Sequence, residues 1–200
     1  MKKTTILFIL FLTGIMQAQD RPQPKPGKAP VVNIKKPQTF VLANGLKVMI
    51  VEDHKLPRVS YNLTLDNAPF AEGNKKGVDN LTSSLIGNGS KKIAKDIFNE
   101  EIDFFGANVN FSSQGAFASS LSKYALRILE LMADGALNPN FTQEEFDKEK
   151  AKLLEGLKAE EKSVPAIAAR VGDALAFGKN HPSGEFTTVE TLNNVTLADV

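Results

Sequence analysis

The chain of 200 residues contains no cysteine and no tryptophan, and only two histidines and two tyrosines. Without cysteine there is no disulfide framework, no thiolate zinc site and no thiol nucleophile. His54 and His181 are too few to make a histidine-rich metal site from this chain alone. An excess of one charge is missing as well, since 24 Lys and Arg face 23 Asp and Glu. Nothing in that balance favours nucleic-acid binding. The mostly apolar run Ile6 to Ile15 is too short to cross a bilayer comfortably.

What is present describes a folded chain. A content of 42% hydrophobic and 24% charged residues is ordinary for a globular protein, and the length suffices for one sizeable core. Lys2 and Lys3 before the apolar run, and Ala18 after it, read as a secretory signal over residues 1–18. The mature chain is therefore expected to be exported, to the periplasm or cell envelope, with no membrane span. Without residues 1–18, 22 basic residues face 23 acidic ones. Residues 19–38 carry five of the ten prolines and read as an extended leader. The domain proper is expected over 39–200.

Thr39 to Leu42 and Leu46 to Val51 are strand-like, and Asn44-Gly45 between them is a strong hairpin signal. After a break at His54 to Pro57, the residues Val59, Tyr61, Leu63 and Leu65 alternate with polar ones. These three runs are expected to form an antiparallel meander. Ser90 is placed to cap a helix carrying Ile93, Ile97, Phe98, Ile102 and Phe105, which Gly106 ends. Asn108 to Ser113 and Ala116 to Ser122 read as a second hairpin around Gly115.

A helix with Ala125, Ile128, Leu129, Met132 and Leu137 closes at Asn138-Pro139. Thr142 and Glu145 form a capping box for a long helix to about Lys162, its buried side at Phe146, Leu153, Leu154 and Leu157. Pro165 opens a further helix through Phe177. Runs of strands and runs of helices, kept apart in this way, predict an α+β fold: an antiparallel sheet with helices packed on one face. Thr196 to Asp199 looks like a helix start one residue before the chain stops at Val200, so the chain is expected to be a piece of a longer protein.

One short helix attracts attention as a site. Val78, Leu81 and Leu85 make its buried stripe, and Gly87 and Gly89 end it. On another face Asn80 and Ser84 lie one turn apart with Ser83 beside them. Two ligands and a base would fit such a face, yet an amide and two hydroxyls neither titrate near neutral pH nor hold a transition metal strongly. The other candidates are weaker. His54 and His181 sit in loops, the acids of the long helix alternate with lysines as a solvated face does, and no serine lies in a G-x-S-x-G elbow.

Several pieces together carry a resemblance. Asn44-Gly45-Leu46-Lys47-Val48, Val51 through Pro57, Glu72-Gly73, Lys76-Gly77-Val78, Ile102-Asp103-Phe104-Phe105-Gly106-Ala107, Leu137 through Phe141 and His181-Pro182-Ser183-Gly184 occur in order. From about residue 39 to its end the chain resembles the pitrilysin/insulinase family of zinc peptidases, which includes the mitochondrial processing peptidases. The resemblance implies a half-unit of a two-domain metallopeptidase architecture.

Active members carry H-x-x-E-H on the helix that begins here at Gly77: two imidazoles four apart hold zinc and the glutamate activates the metal-bound water. Those positions fall on Asn80, Ser83 and Ser84. The distant glutamate ligand falls on Gly156, seven residues after Glu149, with Glu155 one step away. The resemblance thus implies the fold without zinc or catalysis in this chain. Zinc is expected in an active, homologous partner, with which this chain would form a hetero-oligomer around extended peptides. A stand-alone envelope peptide-binding protein, and a peptidase completed by a missing C-terminal part, are the alternatives.

Overall fold

A computed structural model describes residues 23, 26–29, 31 and 36–200. The signal expected at residues 1–18 and most of the leader lie outside the described residues. Two compact units divide at Glu52 and Asp53.

In the first unit, β1 (Gln38–Val41) and β2 (Lys47–Ile50) pair antiparallel, from Gln38 opposite Ile50 to Val41 opposite Lys47. The predicted Asn44-Gly45 turn makes this hairpin. Gly45 takes a φ of +87°, which an L side chain rarely adopts. Leu46 N–H donates to the Asn44 side-chain oxygen at 3.1 Å, the local bond for which asparagine is favoured in turns.

The second unit holds β3 (Arg58–Thr64), β4 (Asn108–Ser112) and β5 (Gly115–Leu121), antiparallel in the order β3-β5-β4. The expected hairpin of β4 and β5 is present, but the expected meander is not: among the described residues β1 and β2 form a two-stranded sheet, and β3 pairs with β5. The pairing of β3 with β5 follows from complementarity over length. All seven residues of β3 find partners on the seven of β5, from Arg58 opposite Leu121 to Thr64 opposite Gly115. Half-buried Val59, Tyr61 and Leu63 thereby share one face with buried Ala116, Ala118 and Ser120.

Six helices follow the numbering α1 (Val78–Leu85), α2 (Lys95–Phe104), α3 (Ala125–Leu137), α4 (Gln143–Glu160), α5 (Val164–Phe177) and α6 (Val189–Asn193). Helices α2 and α3 cover one face of the three-stranded sheet, as the α+β pattern predicts. Phe98 and Ile102 from α2 and Ile128, Leu131 and Met132 from α3 enclose Ala116 and Ala118. The helical periodicity placed Ile97 and Leu137 correctly on their helices, but they are 57% and 77% exposed. A second core joins Leu81 and Leu85 of α1 to Phe146 of α4, Leu192 of α6 and Val195. Burying such side chains contributes roughly 1.5–3 kcal/mol apiece.

Local capping motifs give way to tertiary partners in two places. Helix α2 begins at Lys95, with Ala94 and not Ser90 at its cap. The Ser90 hydroxyl instead accepts the N–H groups of Lys92 and Ile93 and donates to Asp134 of α3. Thr142 does cap α4 by accepting from Glu145 N–H at 3.3 Å. The reciprocal half of the predicted box is absent, because the Glu145 carboxylate is engaged by Lys95 at 2.6 Å and Lys148 at 3.2 Å. Thr196 to Asp199 is a closed turn, in which the Asp199 carboxylate accepts the Thr196 N–H at 2.8 Å and its hydroxyl at 2.7 Å. Pro165 lies in the first turn of α5, behind the Ser163 cap. No helix among the described residues is long and apolar enough to cross a membrane.

Candidate functional site

Helix α1 is anchored before it is functionalised. Gly77 precedes it with a φ of +118°, and a Cβ there would stand 2.9 Å from a methyl of Leu192. One oxygen of Glu72 accepts the N–H groups of Gly77 and Asp79, each at 3.0 Å. A carboxylate at this end satisfies two donors the helix cannot pair internally and favours its dipole. The other Glu72 oxygen binds the Lys76 ammonium at 2.5 Å.

Glu185 completes the arrangement, accepting the backbone N–H of Glu72 at 2.9 Å and of Gly73 at 3.0 Å, with Lys76 at 3.3 Å. Burial pushes the Glu185 carboxyl up, but the two N–H groups and Lys76 outweigh it and hold the group below the ordinary glutamate value. Burial likewise works against the Lys76 charge, and the two carboxylates overcome it and raise its pKa.

Opposite the buried stripe, two of the three candidate side chains, Ser83 and Ser84, are engaged with backbone. Asn80 is exposed, while Ser83 and Ser84 are half-buried. The Ser84 hydroxyl donates to the Asn80 carbonyl at 2.9 Å, a bond back along its own helix. Ser83 acts across elements: its oxygen accepts the N–H of Ser113, in the turn between β4 and β5, at 3.0 Å. Asn88 donates to the Ser84 carbonyl at 3.2 Å. These are structural bonds, and the face offers neutral oxygen and amide groups.

Helices α1 and α4 pack together through Leu81, Leu85 and Phe146, with Leu153, Leu154 and Leu157 against them. The structure therefore brings together the two helices that would carry the four zinc positions. Glu155 and Gly156 are exposed on α4, and Glu155 joins no hydrogen bond or ion pair among the described residues. Glu149 pairs with Lys152 at 3.6 Å. No group of three or more His, Cys, Asp or Glu able to hold a metal ion occurs among the described residues. Zinc needs imidazole, thiolate or carboxylate donors, and Asn80, Ser83, Ser84 and Gly156 do not fit it.

His181 has a structural place: its Nδ1 accepts the Ser183 N–H at 3.1 Å and its ring stacks on Phe177, centroids 5.5 Å apart. The residues that pattern reading missed are Glu72, Glu185 and Ser113. A glutamate five residues before a helix start was the available signal for Glu72. The other two act through contacts distant in sequence.

The family model for insulinase, peptidase family M16, matches residues 47–182. No curated protein matches the chain. Among solved structures the chain is similar to a peptidase M16 inactive domain from Pseudomonas fluorescens, at 24% identity and a TM-score of 0.73, covering 82% of this chain and 42% of that one. It is also similar to a protease from Helicobacter pylori, at 19% identity and a TM-score of 0.68, covering 83% of this chain and 42% of that one. The chain thus spans less than half the length of the solved structures it matches.

Proposed function

The chain belongs to the insulinase family, peptidase family M16, and from that membership we propose that it is a non-catalytic half-unit. It pairs with a zinc-bearing homologue and supplies part of the wall of a chamber that holds an extended peptide. The observation that supports this reading is α1: the helix is anchored and packed, and the positions to which the family resemblance assigns an active member's ligands and base hold Asn80, Ser83 and Ser84. Hydrolysis in the assembly belongs to the partner's zinc.

The peptide-holding role rests on an edge. Among the described residues β4 has a strand neighbour on one side only, β5, and it lies beside α1 through the bond from Ser113 to Ser83. An extended peptide can add to such an edge by main-chain hydrogen bonding. Lys2 and Lys3 followed by the apolar run Ile6 to Ile15 support export, and with it an assembly in the periplasm or cell envelope.

Co-expression with a family homologue from the same genome that retains H-x-x-E-H tests this. A stoichiometric complex is expected, with zinc-dependent peptidase activity that rises when this chain joins. A homologue fully active alone and unable to associate with this chain would overturn the reading, as would chelator-sensitive peptidase activity of this chain by itself.

A further inference from the structure

The face of the three-stranded sheet turned away from α2 and α3 has an unusual composition. Asn62, Phe117 and Asn110 lie in register across β3, β5 and β4. Ser60, Ser119 and Asn108 form the row on one side, and Thr64, Gly115 and Ser112 the row on the other. None of these nine positions carries a charge; Arg58, opposite Leu121 at one end, is the first charged residue on the face. Phe117 at the centre is 39% exposed, and the Asn110 amide donates to the Asn108 side-chain oxygen at 2.6 Å. A sheet face in water ordinarily carries Lys and Glu, so a lattice of amides and hydroxyls around one ring calls for a reason.

Resting on the reading that this chain holds an extended peptide along β4, we propose that the peptide it selects has uncharged hydrogen-bonding side chains, Asn, Gln, Ser or Thr, at alternate positions. A strand added at β4 places every second residue directly beside Asn108, Asn110 and Ser112. Amides and hydroxyls both donate and accept, so they pair with neutral polar side chains in either orientation. A charge of either sign finds no counter-ion in the lattice and loses part of its hydration. The intervening residues turn to the other face, where half-buried Val109 and Phe111 favour apolar groups. Each in-register pair is worth roughly two- to five-fold in affinity.

The test uses the full chain and fluorescein-labelled, end-blocked peptides of alternating Leu and Thr, with sibling peptides carrying Glu or Lys in place of Thr. The Thr peptide is expected to bind about ten-fold tighter than either sibling over its in-register pairs, with little dependence on salt. Asn110→Asp should turn the preference toward the Lys peptide and Asn110→Lys toward the Glu peptide, with thermal melting unchanged. Equal binding of the three peptides, or a wild-type preference for one sign of charge, overturns this inference and leaves peptide holding intact. A switch produced by Asn62 variants and not by Asn110 variants also overturns it, because the peptide would then lie along β3. Binding of none of the three peptides overturns the peptide-holding reading itself.

Discussion

The Glu185 carboxylate accepts the backbone N–H of Glu72 at 2.9 Å across 113 residues of sequence, and the Glu72 carboxylate in turn accepts the N–H groups of Gly77, at the cap of α1, and of Asp79 in its first turn. The start of the helix is therefore held from the far end of the chain. Glu72→Ala would leave two partly buried N–H groups without an acceptor and Lys76 without its nearest carboxylate. The expected loss is about 2–3 kcal/mol. With no tryptophan in the chain, urea unfolding followed by far-ultraviolet circular dichroism is the suitable measurement, and an unchanged midpoint would refute the anchoring role.

This network, together with the separate cluster around Asp134, contributes a pH dependence. Glu185 titrates below the ordinary glutamate value, its backbone and Lys76 partners outweighing burial. Asp134 is also lowered, first by the Ser90 hydroxyl, against burial and with help from Asn138 and Lys92. A carboxyl whose folded pKa is depressed contributes stability above its unfolded pKa, and that stability is lost as pH falls through the folded value. Stability should be level from about pH 7 to about pH 5 and decline below it, where unfolded carboxyls near pH 4 begin to bind protons. Lys76, raised in the fold, adds a second decline above about pH 10.4. Glu101, Glu145 and Asp199 are lowered as well, so the double variant Glu185→Gln, Asp134→Asn should make the acid limb of the urea midpoint plotted against pH shallower without removing it; an acid limb of unchanged slope would assign it to those other groups.

Helices α1 to α5 and both hairpins were legible because their signals are local: Leu81 and Leu85 repeat at helical spacing, and Asn44-Gly45 carries its own turn geometry; the five-residue α6 (Val189–Asn193) was not, being too short to show a helical period. The other failures occur where a nonlocal partner competes. Ser90 has the form of a helix cap, but Asp134 takes its hydroxyl. Glu145 has the form of a capping-box residue, but Lys95 of α2 takes its carboxylate. The pairing of β3 was not legible because adjacency in sequence favoured β2, whereas the complementary alternation lay more than fifty residues downstream on β5. At the site, spacing alone put Asn80, Ser83 and Ser84 on one helix. That Ser83 has become the acceptor for Ser113 depends on the position of a strand turn no helical pattern encodes.

A zinc series separates the two positions on α4. The variant Asn80→His, Ser83→Glu, Ser84→His restores the three α1 residues but leaves Gly156 without a carboxylate, so zinc binding by dye competition should be weak. Gly156 is exposed, and a Cβ there meets nothing within 4 Å, so Gly156→Glu can be added without a clash. Zinc affinity should then rise by roughly ten-fold or more, as for gaining a ligand or its supporting group. Gly156→Ala, as the control, should stabilise the fold by about 0.5–1 kcal/mol, the ordinary gain at a helix interior. Tight binding by the triple variant alone would identify Glu155 as the fourth ligand.

Ser83 and Ser84 are neighbours with matching chemistry and different consequences. The Ser84 hydroxyl donates to a carbonyl of its own helix, a bond that adds little and can be replaced by water at a partly exposed site. Ser83 accepts the N–H of Ser113 from another element, and that turn is bound on its other side by Leu65 N–H donating to the Gln114 carbonyl at 2.9 Å. Ser83→Ala removes the acceptor and leaves a partly buried N–H unpaired, at an expected cost of about 1–2 kcal/mol. Ser84→Ala should stay within about 0.5 kcal/mol of the parent. Hydrogen exchange gives the sharper readout: the Ser113 amide should exchange about ten-fold faster in Ser83→Ala, in proportion to that cost, and recover in Ser83→Thr, which keeps the hydroxyl. Equal effects of the two alanine substitutions on Ser113 exchange would show that the turn is held by the sheet alone, and that α1 does not position β4.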